Sequence, residues 1–297
     1  MATVQVLMST YNGELYLREQ IESLINQKEV EINILVRDDG SADGTIDILE
    51  EYKKKGVLNY YVGTNIKPAN SFMDLIFNSK DAEYYAFCDQ DDYWLPEKLI
   101  KAVEKIHMGK PSLYFSKAQL VDKELKPIKH KGYPVRAYTF GEALIKNNAT
   151  GCTMVFNNQL LQVIKSYNPK FISMHDYWVY LVCLAVDGHV YFDSNSYIMY
   201  RQHGNNVVGG QKSIINEYRN KLKMLLYKDR TRYKIANEIK NGYYELMPEK
   251  NKKIIDLIIG YPYSLQKKFN LIRSNEVRTN SLKNNFMFHI AVIFNCF

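Results

Sequence analysis

The sequence predicts an α/β protein in which helices cover both faces of a parallel sheet, followed by a helical C-terminal segment. Short apolar runs alternate with amphipathic segments through the N-terminal third of the chain, and this alternation is typical of strands joined by crossover helices. Polar clusters stand at the ends of several apolar runs. Beyond residue 210 the periodicity is helical, and lysine and arginine outnumber the acidic residues.

Strands are predicted where short apolar runs are bounded by polar or glycine residues, at 4–8, 32–37, 58–62, 84–88 and 196–201. A helix over 15–26 follows the first strand, a helix ending at Lys54 the second, and a helix over 70–78 the third. Pro96 is expected in the first turn of the next helix, where its missing N–H costs no hydrogen bond.

The segment after the fourth strand carries three carboxylates, Asp89, Asp91 and Asp92. Because alternate side chains of an extended segment share a face, we expect Asp89 and Asp91 to point the same way and Gln90 to point away. Two carboxylates this close repel unless a divalent metal, a basic partner or a shared proton compensates. Oxygen ligands suit Mg²⁺ or Mn²⁺, whereas Asp92 is expected to cap the following helix. An acidic, helix-capping loop without a metal is the alternative.

The polar ends of three strands are expected to meet in one crevice, because ligands of such sheets bind at the carboxyl ends of the strands. Tyr11 follows the first strand, Asp39 the second, and Asp89 and Asp91 the fourth. Asp38 is expected to face away from Asp39, since neighbouring residues of a strand face opposite ways. The glycines beside Asp39 would by themselves indicate only turns.

In this order the polar segments resemble those of the inverting family 2 glycosyltransferases. The motifs are STYNG at residues 9–13, DDGSADGT at 38–45 and DQDD at 89–92. The resemblance covers residues 4–208 and continues in MHDYW at 174–178 and YRQHGNNVVG at 200–209. These last two motifs are similar to the subgroup that builds bacterial surface polysaccharides, which includes rhamnosyltransferases. The resemblance implies a GT-A-like fold with a Rossmann-type nucleotide-binding sheet.

The resemblance implies a nucleotide site at the first three loops. Asp39 would accept the N3–H of a uracil or thymine base, for which a carboxylate is a suitable acceptor. Tyr11 would pack against the ring, beside the backbone of Ser9 and Thr10. Asn70 would belong to a third, looser loop on the nucleotide side.

The resemblance also implies metal-dependent chemistry. Asp89 would lie near the ribose and the metal, and Asp91 would bind a Mg²⁺ or Mn²⁺ ion that bridges the diphosphate oxygens. His203 would complete the metal ligands. Asp176, which precedes an apolar helical run, would be the general base that deprotonates the acceptor hydroxyl.

Arg201 and Gln202 would close over the diphosphate together with the glycine-rich stretch that follows. Each of these roles has a plainer alternative. Asp176 would otherwise cap its helix, His203 would be a loop histidine bonded to backbone, and Arg201 and Gln202 would form a surface turn.

Residues 211–297 carry 17 Lys or Arg against 7 Asp or Glu, a difference of +10, so the first 210 residues sum to −3 within the net charge of +7. Helices are predicted over 214–239 and 250–259. A basic, aromatic and amphipathic tail fits an anionic membrane surface, with an apolar end that would enter the interface through Phe286, Phe288, Ile290, Val292, Ile293 and Phe294. An oligomerisation element, a core-covering element or a solvated face is the alternative. No nucleic-acid module is recognisable.

Three regions are expected: a nucleotide-binding half over 1–94, an acceptor-binding half over 95–210, and the basic tail over 211–297. The four cysteines are scattered without a CxxC pair and are predicted to be reduced. No signal peptide precedes the first strand, and no apolar run reaches the roughly 18 residues that span a bilayer. We therefore expect a cytoplasmic protein, peripheral on the inner face of the cell membrane.

Together these inferences predict a metal-dependent, inverting glycosyltransferase. The expected donor is dTDP-L-rhamnose, with a UDP-hexose as the alternative, and the expected acceptor is a lipid-linked glycan of a cell-surface polysaccharide. A catalytically silent carbohydrate- or nucleotide-binding module at the membrane is the alternative from another class. A sugar nucleotidyltransferase would need a glycine-rich, basic loop after the first strand, which residues 9–13 do not supply. The sequence leaves a homo-oligomer open.

Overall fold

The computed structural model describes residues 1–128, 138–202 and 230–297. The strands in these ranges are β1 Ala2–Thr10, β2 Val30–Asp38, β3 Leu58–Val62, β4 Tyr84–Cys88, β5 Tyr93–Trp94, β6 Ser112–Val121, β7 Val155–Asn157 and β8 His189–Arg201. They form one sheet in the order β3-β2-β1-β4-β7-β6-β8-β5. The predicted α/β class is confirmed.

The helices of the described ranges are α1 Leu17–Ile25, α2 Thr45–Lys54, α3 Lys67–Asn78, α4 Lys98–Val103, α5 Phe140–Ile145, α6 Asn158–Lys165, α7 His175–Ala185, α8 Thr231–Tyr243, α9 Glu249–Gly260, α10 Leu265–Ile272 and α11 Leu282–Ile293. A 3₁₀ turn, Gly151–Thr153, leads into β7. Short polar side chains begin several helices by accepting a backbone N–H, as Asn157 does for α6 and Ser281 for α11.

The parallel half of the sheet places three loops at one edge. β1 pairs in parallel with β2 on one side and β4 on the other, and β2 pairs in parallel with β3. Thr10 lies opposite Asp38, and Met8 lies opposite Cys88. The loops after β1, β2 and β4 therefore leave the sheet side by side, as the sequence predicted.

The other half of the sheet is mixed, which differs from the predicted parallel arrangement. β7 runs antiparallel to both β4 and β6, and the two-residue β5 runs antiparallel to β8. β8 begins at His189 rather than at the predicted residue 196, because its first half pairs in parallel with β6. The short strands β5 and β7 lack the length and periodicity that identify a strand in sequence.

Apolar side chains pack on both faces of the sheet. One cluster joins β1, β2 and β4 to α1, α2 and α4. The larger cluster lies on the opposite face and joins α3, α6 and α7 to α8, α9 and α11. Gly141 of α5 lies so close to the C-terminal segment that an added Cβ would sit 1.9 Å from the carbonyl oxygen of Glu276. Residues 230–297 therefore share a core with the sheet.

This packing corrects the expectation for the apolar C-terminus. Phe288 and Val292 are 3% and 0% exposed within the larger cluster, so they are not available to a membrane. Phe286, Ile293 and Phe294 are exposed. The tail is thus partly core-covering, because one face of α11 is buried and the other is apolar and exposed.

No helix in the described ranges is both long enough and apolar enough to cross a membrane. The four cysteines, Cys88, Cys152, Cys183 and Cys296, are free and buried, as predicted. The region boundaries near residues 94 and 210 stay predictions, and the second lies outside the described residues.

Candidate active site

The segment after β4, residues 89–92, is called the acidic loop below. Its Gln90 ties it to the loop after β1. The backbone N–H of Tyr11 donates to Gln90 Oε1 at 2.8 Å, and Gln90 Nε2 donates to the Tyr11 carbonyl at 3.1 Å. The Tyr11 ring is 48% exposed, so its face is open to a ligand. The sequence pattern predicted that Gln90 points away from the carboxylates, but it did not predict these hydrogen bonds to the Tyr11 backbone.

Asp38 holds the loop after β2 in shape. One of its oxygens accepts the N–H groups of Gly40 and Ser41 at 2.9 and 2.8 Å, and the other accepts the hydroxyls of Ser41 and Thr10 at 2.6 and 2.8 Å. Gly40 has a φ of +80°, which glycine adopts without strain. Both oxygens of Asp38 therefore bond protein groups, and the role in base recognition stays a prediction for Asp39.

Asp39 is 3% exposed and forms an ion pair with Arg37. The same guanidinium donates to Asp74 at 3.0 Å and to the Thr64 carbonyl at 3.1 Å. Its contacts therefore fix the orientation of the Asp39 carboxylate. Sequence reasoning missed Arg37, although an arginine in the apolar run of β2 is a signal that its charge has a buried partner.

The other predicted nucleotide-side residues bond mainly to protein. Ser9 Oγ lies 2.7 Å from Ser71 Oγ, and the carbonyl of Thr10 accepts the N–H of Asp39 at 2.8 Å. Asn70 is exposed in the first turns of α3, and its amide donates to the Ile66 carbonyl at 3.1 Å. The side chains of Ser9 and Thr10 therefore support the loop, which leaves Tyr11 and Asn70 exposed beside it.

The acidic loop brings several carboxylates together. Burial, together with the charges of Asp91 and Asp176, raises the pKa of Asp89 to about 7. Burial also raises the pKa of Asp92 well above its usual range. Ligand atoms of Asp89, Asp92 and Cys152 lie within 4.8 Å of one another. This clustering of acidic groups is the electrostatic condition that a bound cation relieves.

The donor atoms fit a hard divalent cation in part. Carboxylate oxygens suit Mg²⁺ or Mn²⁺. The Cys152 thiol does not suit these ions, since burial and the neighbouring carboxylates raise its pKa and keep the sulfur protonated. Asp89 and Asp91 remain the predicted metal ligands, and His203 lies outside the described residues.

Asp92 does not cap the next helix, which corrects the sequence prediction. α4 begins at Lys98 with Glu97 as its N-terminal flanking residue. Asp92 is fully buried, and its Oδ1 accepts the backbone N–H of Arg201 at 3.1 Å. The intervening β5 pairs with β8, and this pairing separates Asp92 from the helix.

Arg201 does not face an open diphosphate site, which also departs from the prediction. Its side chain is 2% exposed and bonds the carbonyls of Asp91 and Lys123 and the carboxylate of Glu19. Gln202 extends the pairing of β8 with β6, since its backbone N–H donates to the Val121 carbonyl at 2.8 Å.

Asp176 lies in the first turn of α7, against the turn before β7. Its carboxylate accepts the N–H groups of Tyr177 at 2.6 Å and Gly151 at 3.2 Å. Burial raises its pKa to about 6, and these N–H donors oppose the rise. Asp176 also contributes to the raised pKa of Asp89, so the candidate base and the acidic loop share one electrostatic environment.

His175 packs behind the candidate base. Its ring stacks on Phe72 with centroids 3.9 Å apart and meets the edge of Phe87 at 4.7 Å. Burial lowers its pKa to about 3, so the imidazole is neutral. A Cβ at Gly151 would lie 2.7 Å from His175 Nε2. Glycine is therefore required where this turn approaches Asp176.

A family model described as Glycosyl transferase family 2 matches residues 5–164, which is more than half of the chain. The chain belongs to glycosyl transferase family 2. It is 30% identical over 237 residues to the dTDP-rhamnosyl transferase RfbG of Shigella flexneri, an alignment that covers 71% of this chain and 77% of that protein. Residues 5–164, which the family model matches, contain the loops after β1, β2 and β4.

Two solved structures share the fold of this family 2 chain. The S. aureus TarS 1-349 complex with UDP-GlcNAc has a TM-score of 0.58 at 20% identity and covers 98% of this chain and 79% of that one. The mannosyltransferase PcManGT from Pyrobaculum calidifontis, in complex with GDP-Man and Mn²⁺, has a TM-score of 0.52 at 14% identity and covers 99% and 80%. The GT-A-like architecture is confirmed.

Proposed function

We propose that this family 2 enzyme transfers L-rhamnose from dTDP-L-rhamnose to a lipid-linked glycan acceptor, with a divalent metal and with inversion at the sugar. The observation that carries the proposal is the placement of the loops after β1, β2 and β4 side by side at one edge of the sheet, with Asp89 and Asp91 in the last of them. Tyr11 and Asp39 lie in neighbouring loops at that edge. Similarity to the dTDP-rhamnosyl transferase supports the donor.

Nucleotide recognition is assigned to the loops after β1, β2 and β4. The exposed Tyr11 ring provides an apolar face for a pyrimidine, and Asp39 provides a carboxylate that accepts the N3–H. Arg37 fixes that carboxylate, and Gln90 fixes the Tyr11 backbone. Because these contacts are made by protein groups, they reduce the ordering required when the nucleotide binds.

The chemical step is assigned to the acidic loop and to Asp176. A bound Mg²⁺ or Mn²⁺ would act as a Lewis acid for the departing diphosphate. Asp176 takes the proton of the acceptor hydroxyl as that oxygen bonds the anomeric carbon and the bond from this carbon to the diphosphate breaks, and the carboxyl returns the proton to solvent before the next turnover. With a pKa of about 6, Asp176 is ionised at neutral pH and still basic enough for this task.

A thermal-shift series with dTDP, UDP and GDP in the presence of Mn²⁺ tests the nucleotide site, because a ligand that binds only the folded state raises Tm. The proposal predicts the largest shift with dTDP. A larger shift with UDP would support a UDP-hexose donor, which the TarS complex favours as the second candidate. No shift with any of the three would contradict the assigned site.

A catalytically silent binding module remains the alternative from another class. Both readings place a nucleotide at the same loops, so binding alone does not separate them. Release of dTDP from dTDP-L-rhamnose at a rate that falls when Asp176 is replaced supports the enzyme. Tight binding of the donor with neither transfer nor hydrolysis would support the silent module.

The lipid-linked acceptor places the enzyme at the inner face of the membrane, and the surface of α10 and α11 supports this location. Leu282, Phe286 and Ile293 form an exposed stripe along α11, and Leu265 and Phe269 form another on α10. Lys268 Nζ donates to the Ile293 carbonyl at 3.1 Å, which joins the two helices. Residues 261–297 carry five Lys or Arg and one Glu, a difference of +4. An apolar surface with basic neighbours fits anionic lipid.

Vesicle sedimentation tests this surface. We expect binding to vesicles with anionic lipid, release by salt, and loss of binding in Phe286→Ser/Ile293→Ser. Leu246→Ser is the matched control, because Leu246 is 53% exposed, as Ile293 is, and lies outside α10 and α11. Equal binding to neutral and anionic vesicles would contradict the proposal. Concentration-dependent dimerisation abolished by the same double variant would instead identify an oligomer surface.

A further inference from the structure

Arg201 makes two hydrogen bonds with the acidic loop. Its Nε donates to the carbonyl of Asp91 at 2.8 Å, and its backbone N–H donates to the Asp92 carboxylate at 3.1 Å. The first contact fixes the peptide that joins the two aspartates. The second gives the buried Asp92 a hydrogen-bond donor, which a buried carboxylate requires. Both contacts hold the loop from the end of β8.

The rest of the guanidinium is anchored elsewhere in the fold. Its Nη2 pairs with Glu19 of α1, its Nη1 donates to the Lys123 carbonyl, and its carbon lies 4.4 Å from the centroid of the Tyr16 ring. Glu19 is 44% exposed, whereas Arg201 is 2% exposed. One arginine therefore links the start of α1, the loop after β6 and the acidic loop.

The positive charge of Arg201 lies beside the proposed metal ligands, so Arg201 can affect metal binding in two opposite ways. A cation beside a metal site repels the metal, so an arginine kept there only by chance would weaken metal binding. An arginine that fixes the loop has the opposite effect, because it reduces the ordering required when the metal binds. The two effects predict opposite results when Arg201 is made neutral.

We propose that Arg201 is a positioning residue that holds the acidic loop in its metal-binding shape before the nucleotide arrives, and that Glu19 is its anchor. The proposal rests on the proposed metal-dependent function. It differs from a direct contact with the diphosphate, because the Arg201 side chain is 2% exposed and its nitrogens donate to protein acceptors. It also gives α1 a part in the metal site, although no α1 side chain belongs to the acidic cluster of the described residues.

Mn²⁺ binding without nucleotide, measured by electron paramagnetic resonance, tests the proposal in Arg201→Gln and Glu19→Gln. We expect about 3- to 10-fold weaker Mn²⁺ affinity in both, which corresponds to about 0.7 to 1.4 kcal/mol. Glu31→Gln is the matched control, because it removes the same charge at an exposed position near the start of β2. Its affinity should equal that of the wild type. Circular dichroism checks that each variant is folded.

Hydrogen exchange of residues 89–92 in the metal-free protein gives a second readout. The proposal predicts faster exchange in Glu19→Gln than in Glu31→Gln, since only the first releases the anchor. Tighter Mn²⁺ binding in Arg201→Gln, or exchange unchanged in Glu19→Gln, would overturn it.

Nucleotide affinity lost in Arg201→Gln with Mn²⁺ affinity intact would assign Arg201 to the diphosphate. A wild type that binds no Mn²⁺ would count against the proposed function. The exchange of residues 89–92 in Glu19→Gln would still test whether Glu19 anchors Arg201.

Discussion

At the scale of single residues, Asp38 and Asp39 have the same side chain but different surroundings. Asp38 uses both oxygens to shape its own loop, whereas Asp39 pairs with the buried Arg37. The alternation of strand side chains predicts only that the two face opposite ways, and the choice of Asp39 for the base came from the resemblance. The same alternation places residues 37 and 39 on one face, so the Arg37–Asp39 pair could have been found from the sequence, whereas the bond from Arg37 to Asp74 of α3 depends on the tertiary fold.

Asp39→Ala is expected to weaken dTDP binding about 10- to 100-fold, because a hydrogen bond to a charged group contributes about 1.5–3 kcal/mol. Isothermal titration calorimetry in the presence of Mn²⁺ measures the change. Asp47→Ala on the exposed side of α2 removes the same charge and should bind as the wild type does. Unchanged affinity in Asp39→Ala would remove Asp39 from the base site.

Asp176→Asn is expected to lower kcat by about two orders of magnitude or more and to keep nucleotide affinity, because the amide cannot accept the proton. In the wild type the active form is the carboxylate, so kcat should fall as pH falls through the pKa of about 6. This limb should be absent from the residual activity of Asp176→Asn. A variant with near-normal turnover would place the base elsewhere.

At the scale of elements, the position of the acidic loop was predictable from the sequence, but the contacts of its last residue, Asp92, were not. The position of Asp89 and Asp91 after an apolar strand was predictable, because β4 is a continuous buried run. The role of Asp92 was not, because it depends on a hydrogen bond to Arg201, which is distant in sequence. The two-residue β5 that separates Asp92 from α4 has no periodicity that a sequence reveals.

The C-terminal helix α11 has one buried apolar face and one exposed apolar face, so its two faces should respond differently to substitution. Phe288→Ala is expected to lower the free energy of unfolding by about 3–5 kcal/mol, because it opens a cavity in the core. Phe286→Ala, on the exposed face, should change it by about 0.5 kcal/mol or less. Denaturant titration of both variants measures the difference. Equal losses would mean that α11 is packed otherwise.

At the scale of the whole molecule, the residues proposed to carry the chemistry come from the parallel half of the sheet and from helix α7. Tyr11, Asp39 and Asp89 lie at strand ends of the parallel half, and this placement followed from the strand and helix pattern. Asp176 lies at the start of α7 and accepts the N–H of Gly151 in the turn before β7. That contact depends on the antiparallel β7, so the place of Asp176 in the site was implied by resemblance alone and not by the pattern.

The C-terminal region also shows what composition cannot decide. Its positive charge and apolar end indicated a surface element, and the exposed faces of α10 and α11 fit that interpretation. Composition did not reveal that Phe288 and Val292 belong to the larger core cluster. Amphipathic patterning identifies an apolar face only when the opposite face is polar, and α11 is apolar on both.

Release of dTDP from dTDP-L-rhamnose tests the central claim most directly, in wild-type enzyme with Mn²⁺, with excess chelator, and in Asp91→Ala with Mn²⁺. The account predicts release in the first case and little in the other two, because the charge developing on the diphosphate would then be uncompensated. Circular dichroism should show that Asp91→Ala keeps its fold. Full activity in chelator, or in folded Asp91→Ala, would contradict a metal-dependent transferase centred on the acidic loop.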